Sequence, residues 1–386
     1  MVTFIDIFNE SLRKTGEELC GDKVKIFKTE NKSTIVLSDG LGSGVKANIL
    51  ATLTTEIIST MLKAEIPLKE VIDTVINTLP ICKIRKIAYA TFTIIEIDQE
   101  TNNFKVINFD NPPIFLIKNG RIQYPHVRTL DILNKKISVI EGHLDRGDFL
   151  ATVSDGVLHA GMGMTLNFGW GWEDIANYIE GLLITHSISA RNIVHEIMSK
   201  THSLYKGNIS DDATTVGIYV RKRNGLILFS GPPSDESKDS FYAEKVLGFD
   251  GRRVVCGGTT ANIVATHLGE VVETLIPTMT KDVPPIGRLS EIDLLTEGIV
   301  TLSKCIEYLK DANGESTGLP FVIDGAVMLA KELLRADYIH FIVGLKVNKY
   351  YQNPLLPKNI SIRKNVILEL ADILLEKHKE VKIEYC

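Results

Sequence analysis

The chain has 386 residues and a net charge of −5, with 44% hydrophobic and 24% charged residues. This length favours two domains, and the acidic balance argues against a surface for nucleic acid or membrane. We find no signal peptide and no apolar run long enough to span a membrane. Five scattered cysteines without a CxxC pair are typical of a cytoplasmic protein with reduced thiols and no zinc site.

The first predicted elements are a helix over residues 4–18 and two strands over 23–29 and 34–37. The turn signal at 30–33 joins the strands into a hairpin. Asp22 precedes the first strand and Asp39 follows the second, so an antiparallel hairpin places both carboxylates at the same end.

Residues 38–44, Ser-Asp-Gly-Leu-Gly-Ser-Gly, connect the second strand to an amphipathic helix that begins near Val45. Glycines let the backbone approach a ligand closely, and carboxylate and carbonyl oxygens suit Mg²⁺ or Mn²⁺. Taken alone, this motif fits equally a glycine turn in which Asp39 caps a helix.

The next predicted elements are a helix over 68–79 and strands over 87–97, 104–109, 114–117 and around Ile122. Their order is typical of an antiparallel meander.

The buried strand 149–153 ends in a second Ser-Asp-Gly, which contains Asp155. After helices over 172–184 and 190–205, Asp211 and Asp212 precede a strand over 216–220. Acids at four strand ends suit a centre of two metal ions, in which carboxylates hold the cations and a bridging water is the nucleophile.

These motifs, in this order and spacing, resemble the metal-dependent (type 2C, PPM) serine/threonine protein phosphatases, in particular the stage II sporulation protein E branch. The resemblance covers about residues 21–220 and rests on Gly21-Asp22, the 38–44 motif, Gly147-Asp148 running into Ser154-Asp155-Gly156, and Asp211-Asp212-Ala213-Thr214. It implies a four-layer α-β-β-α sandwich within a domain of residues 1–222.

The resemblance also implies a role for each acid. Asp39 would bridge two Mn²⁺ or Mg²⁺ ions, and the Gly40 carbonyl would bind one of them. Asp155 and Asp211 would complete the metal sites, and Asp22 would bind a metal ion or its water. Asp212 would support these ligands from behind.

The implied reaction is hydrolysis of phosphoserine or phosphothreonine on a regulatory protein, by a water that the metals activate. An anti-anti-sigma-type regulator is the substrate class that this branch suggests, and a homodimer is expected.

The sequence departs from the family at Asp110-Asn111-Pro112-Pro113, where a histidine is common, and no histidine is evident as a general acid. A catalytically inactive scaffold or small-ligand sensor therefore stays open as the alternative. The basic cluster of Lys83, Arg85 and Lys86 is typical of a solvated loop, with a phosphate clamp as the minor alternative.

Strands alternate with helices over residues 225–386, which predicts a separate α/β domain that we assign to no family. Its predicted elements include a helix from Asp235, a strand at 253–256, a helix near 292–309 and a strand at 338–343. Gly257-Gly258-Thr259-Thr260 lies between a strand and a helix. Free N–H groups there could bind an anion, while a close turn with a threonine cap explains the same residues. A regulatory or docking role is expected for this domain.

Overall fold

The computed structural model describes residues 3–29, 31–78, 90–133, 135–185, 189–312, 318–346, 359–377 and 379–386. The cluster of Lys83, Arg85 and Lys86 lies outside these ranges. The chain divides into two compact units, Met1–Lys222 and Arg223–Cys386. Among the helices of the described ranges, none combines the length and apolar character needed to cross a membrane.

The first unit contains two antiparallel sheets. One has the order β2-β3-β4-β5-β9-β8 and the other β1-β11-β10-β6-β7. The strands are β1 (Thr3–Leu12), β2 (Asp22–Lys28), β3 (Lys32–Gly40), β4 (Ala90–Asp98), β5 (Asn103–Phe109), β6 (Phe115–Lys118), β7 (Arg121–Gln123), β8 (Arg128–Ile132), β9 (Lys135–His143), β10 (Phe149–Val153) and β11 (Ala213–Lys222). The helices are α1 (Gly44–Lys63), α2 (Leu68–Thr78), α3 (Asp155–Leu158), α4 (Trp172–Thr185) and α5 (Ala190–Leu204).

Alternating side chains build the layers of this unit. On β3, Ile35 and Leu37 belong to the core between the two sheets, together with Leu150 of β10. Val36, on the opposite face of β3, packs with Ile58 of α1. Helices α4 and α5 cover the outer face of the other sheet. The predicted α-β-β-α sandwich is therefore confirmed.

The predicted helix at residues 4–18 is wrong, because Thr3–Leu12 forms β1 along the edge of the second sheet and residues 13–18 form neither helix nor strand. This strand pairs with β11 from Thr3, opposite Lys222, to Leu12, opposite Ala213. Its side chains alternate with period two, since Ile5 faces the inter-sheet core and Phe8 packs towards the α4–α5 layer. Long-range pairing thus decides the structure of a segment whose apolar spacing also fits a helix. Strands β8 and β9 were not predicted.

The second unit has a seven-stranded sheet of order β14-β15-β16-β13-β12-β17-β18, in which β16, β13, β12, β17 and β18 are parallel. The strands are β12 (Gly225–Ser230), β13 (Arg252–Cys256), β14 (Glu273–Leu275), β15 (Ile286–Arg288), β16 (Leu294–Thr296), β17 (Tyr338–Val343) and β18 (Glu380–Tyr385). The helices are α6 (Asp239–Leu247), α7 (Gly258–Leu268), α8 (Ile299–Asp311), α9 (Gly325–Arg335) and α10 (Asn359–Glu376).

Helices cover both faces of this second sheet, as expected for an α/β domain. Helices α6 and α7 pack on one face and α8, α9 and α10 on the other. The predicted helix near 292–309 starts too early, because Leu294–Thr296 pairs with β13 as strand β16. The helix predicted from Asp235 begins at Asp239, after a short 3₁₀ turn.

Candidate metal centre

The hairpin of β2 and β3 places two aspartates opposite each other. Asp22 and Asp39 are direct partners in the antiparallel register. Asp22 is only 4% exposed, whereas Asp39 is partly open to solvent. Side chains opposite each other on such a pair have Cβ atoms about 5 Å apart, so the two carboxylates lie within reach of one cation.

Gly40 allows the chain to turn tightly after Asp39. A Cβ atom at this position would collide with the carbonyl oxygen of Ala47 in α1. The Gly40 N–H donates to the Gly21 carbonyl at 3.2 Å, which extends the hairpin beyond its last aspartate pair. Only glycine permits this close approach of backbone to helix, so the turn fixes where the Asp39 carboxylate lies.

Asp155 begins the short helix α3, directly after β10. Its neighbour Ser154 joins the end of β10 to Asp22 at the start of β2 and to Thr214 of β11. The Ser154 hydroxyl donates to Asp22 Oδ2 at 2.7 Å and accepts from the Thr214 backbone N–H at 2.8 Å. Sequence reasoning missed this role of Ser154. The available signal was the repeated Ser-Asp-Gly motif, but this motif indicates the role of Ser154 only when the pairing of the strands is known.

Asp211 and Asp212 precede β11 and differ in their surroundings. Asp211 is partly exposed, and Asp212 is 4% exposed. The Asp212 carboxylate accepts from the backbone N–H of Gly21 at 2.8 Å and of Lys14 at 3.0 Å. Asp212 therefore anchors the chain that leads into Asp22.

Burial and mutual repulsion raise the pKa values of these carboxyl groups. Burial, followed by the charge of Asp22 and then of Asp155, Asp211 and Asp212, raises the pKa of Asp39 to about 9. Burial also raises the pKa of Asp22 to about 7, although hydrogen bonds from Ser154 and Thr214 oppose this rise. Burial, then the charge of Asp155, raises the pKa of Asp211. The five acids therefore form one cluster whose negative charges destabilise one another.

The cluster fits hard cations by its chemistry. Asp22 Oδ1 is buried without a hydrogen-bond partner, which is rare for a carboxylate oxygen in a folded protein. In the described part of the chain, no three His, Cys, Asp or Glu side chains form a group arranged to hold an ion by themselves. Mg²⁺ usually keeps several waters and takes one or two carboxylates, so a partly hydrated ion matches this arrangement.

Asn111 lies near the hairpin, in the Asp110–Pro113 segment where the sequence departs from the family. Its Nδ2 donates to Thr93 Oγ1 at 2.9 Å, and its Oδ1 accepts from the Thr91 hydroxyl. Thr91 is the β4 partner of Asp39. The side-chain amide of Asn111 therefore occupies the position where the sequence departs from the family, and it connects to Asp39 through Thr91 of β4.

Residues 257–260 belong to the second unit. Gly257, with φ of 111°, is the N-cap of α7, and the helix begins at Gly258. The Thr260 hydroxyl accepts from the Gly231 N–H at 2.8 Å, so this side chain joins two loops. The described contacts of the carboxylate cluster all lie within the first unit.

Comparisons with known proteins place the first unit in a family. A family model described as Stage II sporulation protein E (SpoIIE) matches residues 29–221. Stage II sporulation protein E of Bacillus subtilis is 23% identical over 211 residues, which cover 54% of this chain and 24% of the relative. The chain thus spans about a quarter of the length of that relative.

Two solved structures are similar to part of this chain. The phosphatase domain of Bacillus subtilis SpoIIE with a fragment of its regulatory domain has a TM-score of 0.49 and 21% identity, covering 57% of this chain and 64% of the other. The RsbU and RsbW domains of a Mycobacterium tuberculosis protein have a TM-score of 0.47 and 15% identity, covering 64% and 68%.

Proposed function

Because the chain belongs to the stage II sporulation protein E family, we propose that it is a metal-dependent serine/threonine protein phosphatase. The observation that supports this most strongly is the carboxylate cluster, in which Asp22 and Asp39 face each other and repel. Buried like charges are unfavourable without a counter-charge, so a protein that retains them is expected to use a cation there.

We propose that Asp39 and the Gly40 carbonyl hold two Mn²⁺ or Mg²⁺ ions together with Asp22, Asp155 and Asp211. When bound, such ions supply an activated water and neutralise the charge of the phosphoryl group. The donor set consists of oxygens, which suits these hard cations.

The protein's own residues hold this arrangement in place. Ser154 orients the Asp22 carboxylate through its 2.7 Å hydrogen bond, and Asp212 fixes the backbone at Gly21. Without cations the cluster would repel a phosphate group, so we expect substrate affinity as well as turnover to depend on metal. Positioning and charge neutralisation are thus the catalytic contributions of this site.

The proposed substrate is a phosphoprotein, of the anti-anti-sigma type that the family resemblance suggests. We propose that the second unit regulates the phosphatase or docks its substrate, that the protein acts in the cytoplasm without binding nucleic acid or membrane, and that it is a homodimer. The free thiols of the described cysteines Cys20, Cys256, Cys305 and Cys386 support the cytoplasmic assignment.

The test is hydrolysis of a phosphothreonine peptide and of p-nitrophenyl phosphate with Mn²⁺, with Mg²⁺ and with a chelator. We expect metal-dependent turnover that falls at least 100-fold in Asp39→Asn and is unchanged in Asp131→Asn, which alters an exposed aspartate on β8. Absence of turnover by the folded wild type with either metal would reject the phosphatase. It would favour the inactive scaffold or ligand sensor, for which the amide of Asn111 at the family's histidine position is the specific observation.

A further inference from the structure

The sheet of the second unit ends in a regular strand that has a neighbour on one side only among the described strands. Strand β18 pairs in parallel with β17 over its full length, from Glu380 opposite Tyr338 to Tyr385 opposite Val343. The strand at the other edge, β14, has 3 residues, whereas β18 has 6. A long regular edge is a template on which another strand can pair, and a very short edge is not.

The hydrogen bonds of β18 show which of its backbone groups face outwards. The N–H groups of Glu380 and Cys386 both donate towards β17, to the carbonyls of Asp337 and Val343. The even-numbered residues therefore use their backbone groups within the sheet. Because the direction of these groups alternates along a strand, the free edge displays the N–H and C=O groups of the odd-numbered residues, which are Val381, Ile383 and Tyr385.

The side chains of β18 complement a second copy of the same strand. Two identical edges can pair antiparallel about a twofold axis, with outward-facing residues opposite each other. With the axis at Ile383, Lys382 lies opposite Glu384 of the second copy, and Val381 lies opposite Tyr385 of the second copy. Opposite charges and an aromatic side chain beside a β-branched one both stabilise such cross-strand pairs.

The two adjacent registers lack this complementarity. An axis at Lys382 places this lysine opposite itself and Glu380 opposite Glu384. An axis at Glu384 places that glutamate opposite itself. Like charges directly opposite each other destabilise paired strands. A lysine on an edge usually discourages pairing, but the exposed Lys382 discourages the adjacent registers and favours the one centred on Ile383.

Helix α10 adds apolar surface beside the same edge. Lys364 lies over the Tyr385 ring, 5.3 Å from its centroid, which identifies the side of α10 that faces β18. Leu368 and Leu375 follow Lys364 at helical spacing and share that side, whereas Glu369 pairs with a lysine of α8. The two leucines are 37% and 51% exposed. A second copy paired at β18 would bring its own α10 to these leucines and remove them from water.

We propose that two copies of this chain associate through β18, paired antiparallel about Ile383, so that their two sheets form one continuous sheet with the α10 helices side by side. This interface gives a surface to the homodimer proposed above and does not depend on the phosphatase chemistry of the first unit. A second copy fits this edge better than an unrelated peptide does, because the charges of β18 complement their own sequence.

The test is sedimentation equilibrium of the full chain in a chelator. We expect wild type to approach twice the chain mass of 42.8 kDa. Lys382→Glu places glutamates opposite each other and should raise the dimer dissociation constant at least tenfold. Leu368→Lys should raise it at least threefold. Lys331→Glu is the matched control, because it makes the same charge change at an exposed position of α9 and should leave association unchanged.

Amide hydrogen exchange provides a readout at the edge itself. In the monomer the outward N–H groups of Val381, Ile383 and Tyr385 are open to water, and in the dimer they are hydrogen-bonded to the second copy. We expect these amides to exchange at least tenfold more slowly above the dissociation constant than below it. Lys382→Glu should lose this dependence on concentration.

Three results would overturn the interface. They are a wild type that stays monomeric at about 100 μM, a dissociation constant unchanged in Lys382→Glu, and exchange at β18 that does not depend on concentration. If Lys382→Glu does not fold, as judged by circular dichroism, Leu368→Lys decides, and wild-type association in that variant would equally refute the interface. Turnover of p-nitrophenyl phosphate is measured separately, so a failure of this interface is distinguishable from a failure of the phosphatase.

Discussion

Asp39→Asn is expected to stabilise the metal-free protein while it removes at least one of the two proposed metal ions. The raised pKa of Asp39, about 9 in the folded chain against 3.8 as its ordinary value, means that folding opposes ionisation of this carboxyl group. The folded state is therefore favoured below about pH 4, and this advantage is lost progressively as the pH rises towards 9. Asparagine has the same shape and never ionises, so the variant avoids this loss.

The size of the effect can be bounded in two ways. At pH 7 the unfolded aspartate is ionised and the folded one is protonated, and the pKa difference corresponds to at most about 4 kcal/mol. Two like charges about 5 Å apart at an effective dielectric constant near 20 repel by about 3 kcal/mol. We therefore expect the free energy of unfolding to rise by about 2–4 kcal/mol, which raises the Tm by roughly 5–15 °C.

The assay is urea unfolding of wild type, Asp39→Asn and Asp131→Asn in a chelator at pH 4, 7 and 8.5. The gain of Asp39→Asn should be near zero at pH 4 and largest at pH 8.5, whereas Asp131→Asn should match wild type throughout. Saturating Mn²⁺ at about 100 times its Kd should add about 2.7 kcal/mol for each ion bound by wild type, and at most half of the wild-type total to Asp39→Asn. A variant no more stable than wild type at pH 8.5 would refute the proposed repulsion.

Two further substitutions test supporting contacts. Asp212→Ala removes the acceptor of the Gly21 and Lys14 N–H groups. In contrast to Asp39→Asn, we expect it to lower the free energy of unfolding by about 2–4 kcal/mol even without metal. Urea unfolding in a chelator measures this change, and unchanged stability would argue against an anchoring role of Asp212. Asp324→Ala removes the N-cap of α9, whose carboxylate accepts from the Ala326 and Val327 N–H groups. It should lower the free energy of unfolding of the second unit by about 1–2 kcal/mol. Loss of phosphatase turnover without loss of stability would contradict this purely structural role.

Local patterns were sufficient to predict the carboxylate hairpin. The apolar runs on both sides of residues 30–33 and the turn between them define β2 and β3, and the hairpin alone places Asp22 opposite Asp39. The same reasoning failed for β1, because Ile5 and Phe8 fit either a helix or an edge strand. Pairing with β11, more than 200 residues later, resolves that ambiguity, and no local signal records it.

The contacts that support the proposed metal ligands were less predictable than the positions of the carboxylates themselves. Asp212 was expected to lie behind the proposed metal ligands, but its hydrogen bonds from the Gly21 and Lys14 N–H groups depend on three segments that meet only in the folded chain. Residue chemistry thus indicates which groups can bind a cation, and topology decides which others support them.

Counting bound Mn²⁺ tests the proposed centre most directly. Titration of the chelator-stripped protein, followed by the paramagnetic resonance of free Mn²⁺, should show two saturable ions per chain in wild type. Asp131→Asn should keep two ions, and Asp39→Asn should bind at most one of them with wild-type affinity, because Asp39 is the proposed bridge. Two ions bound to Asp39→Asn as tightly as to wild type, or none bound to wild type, would contradict a two-metal site on this carboxylate cluster.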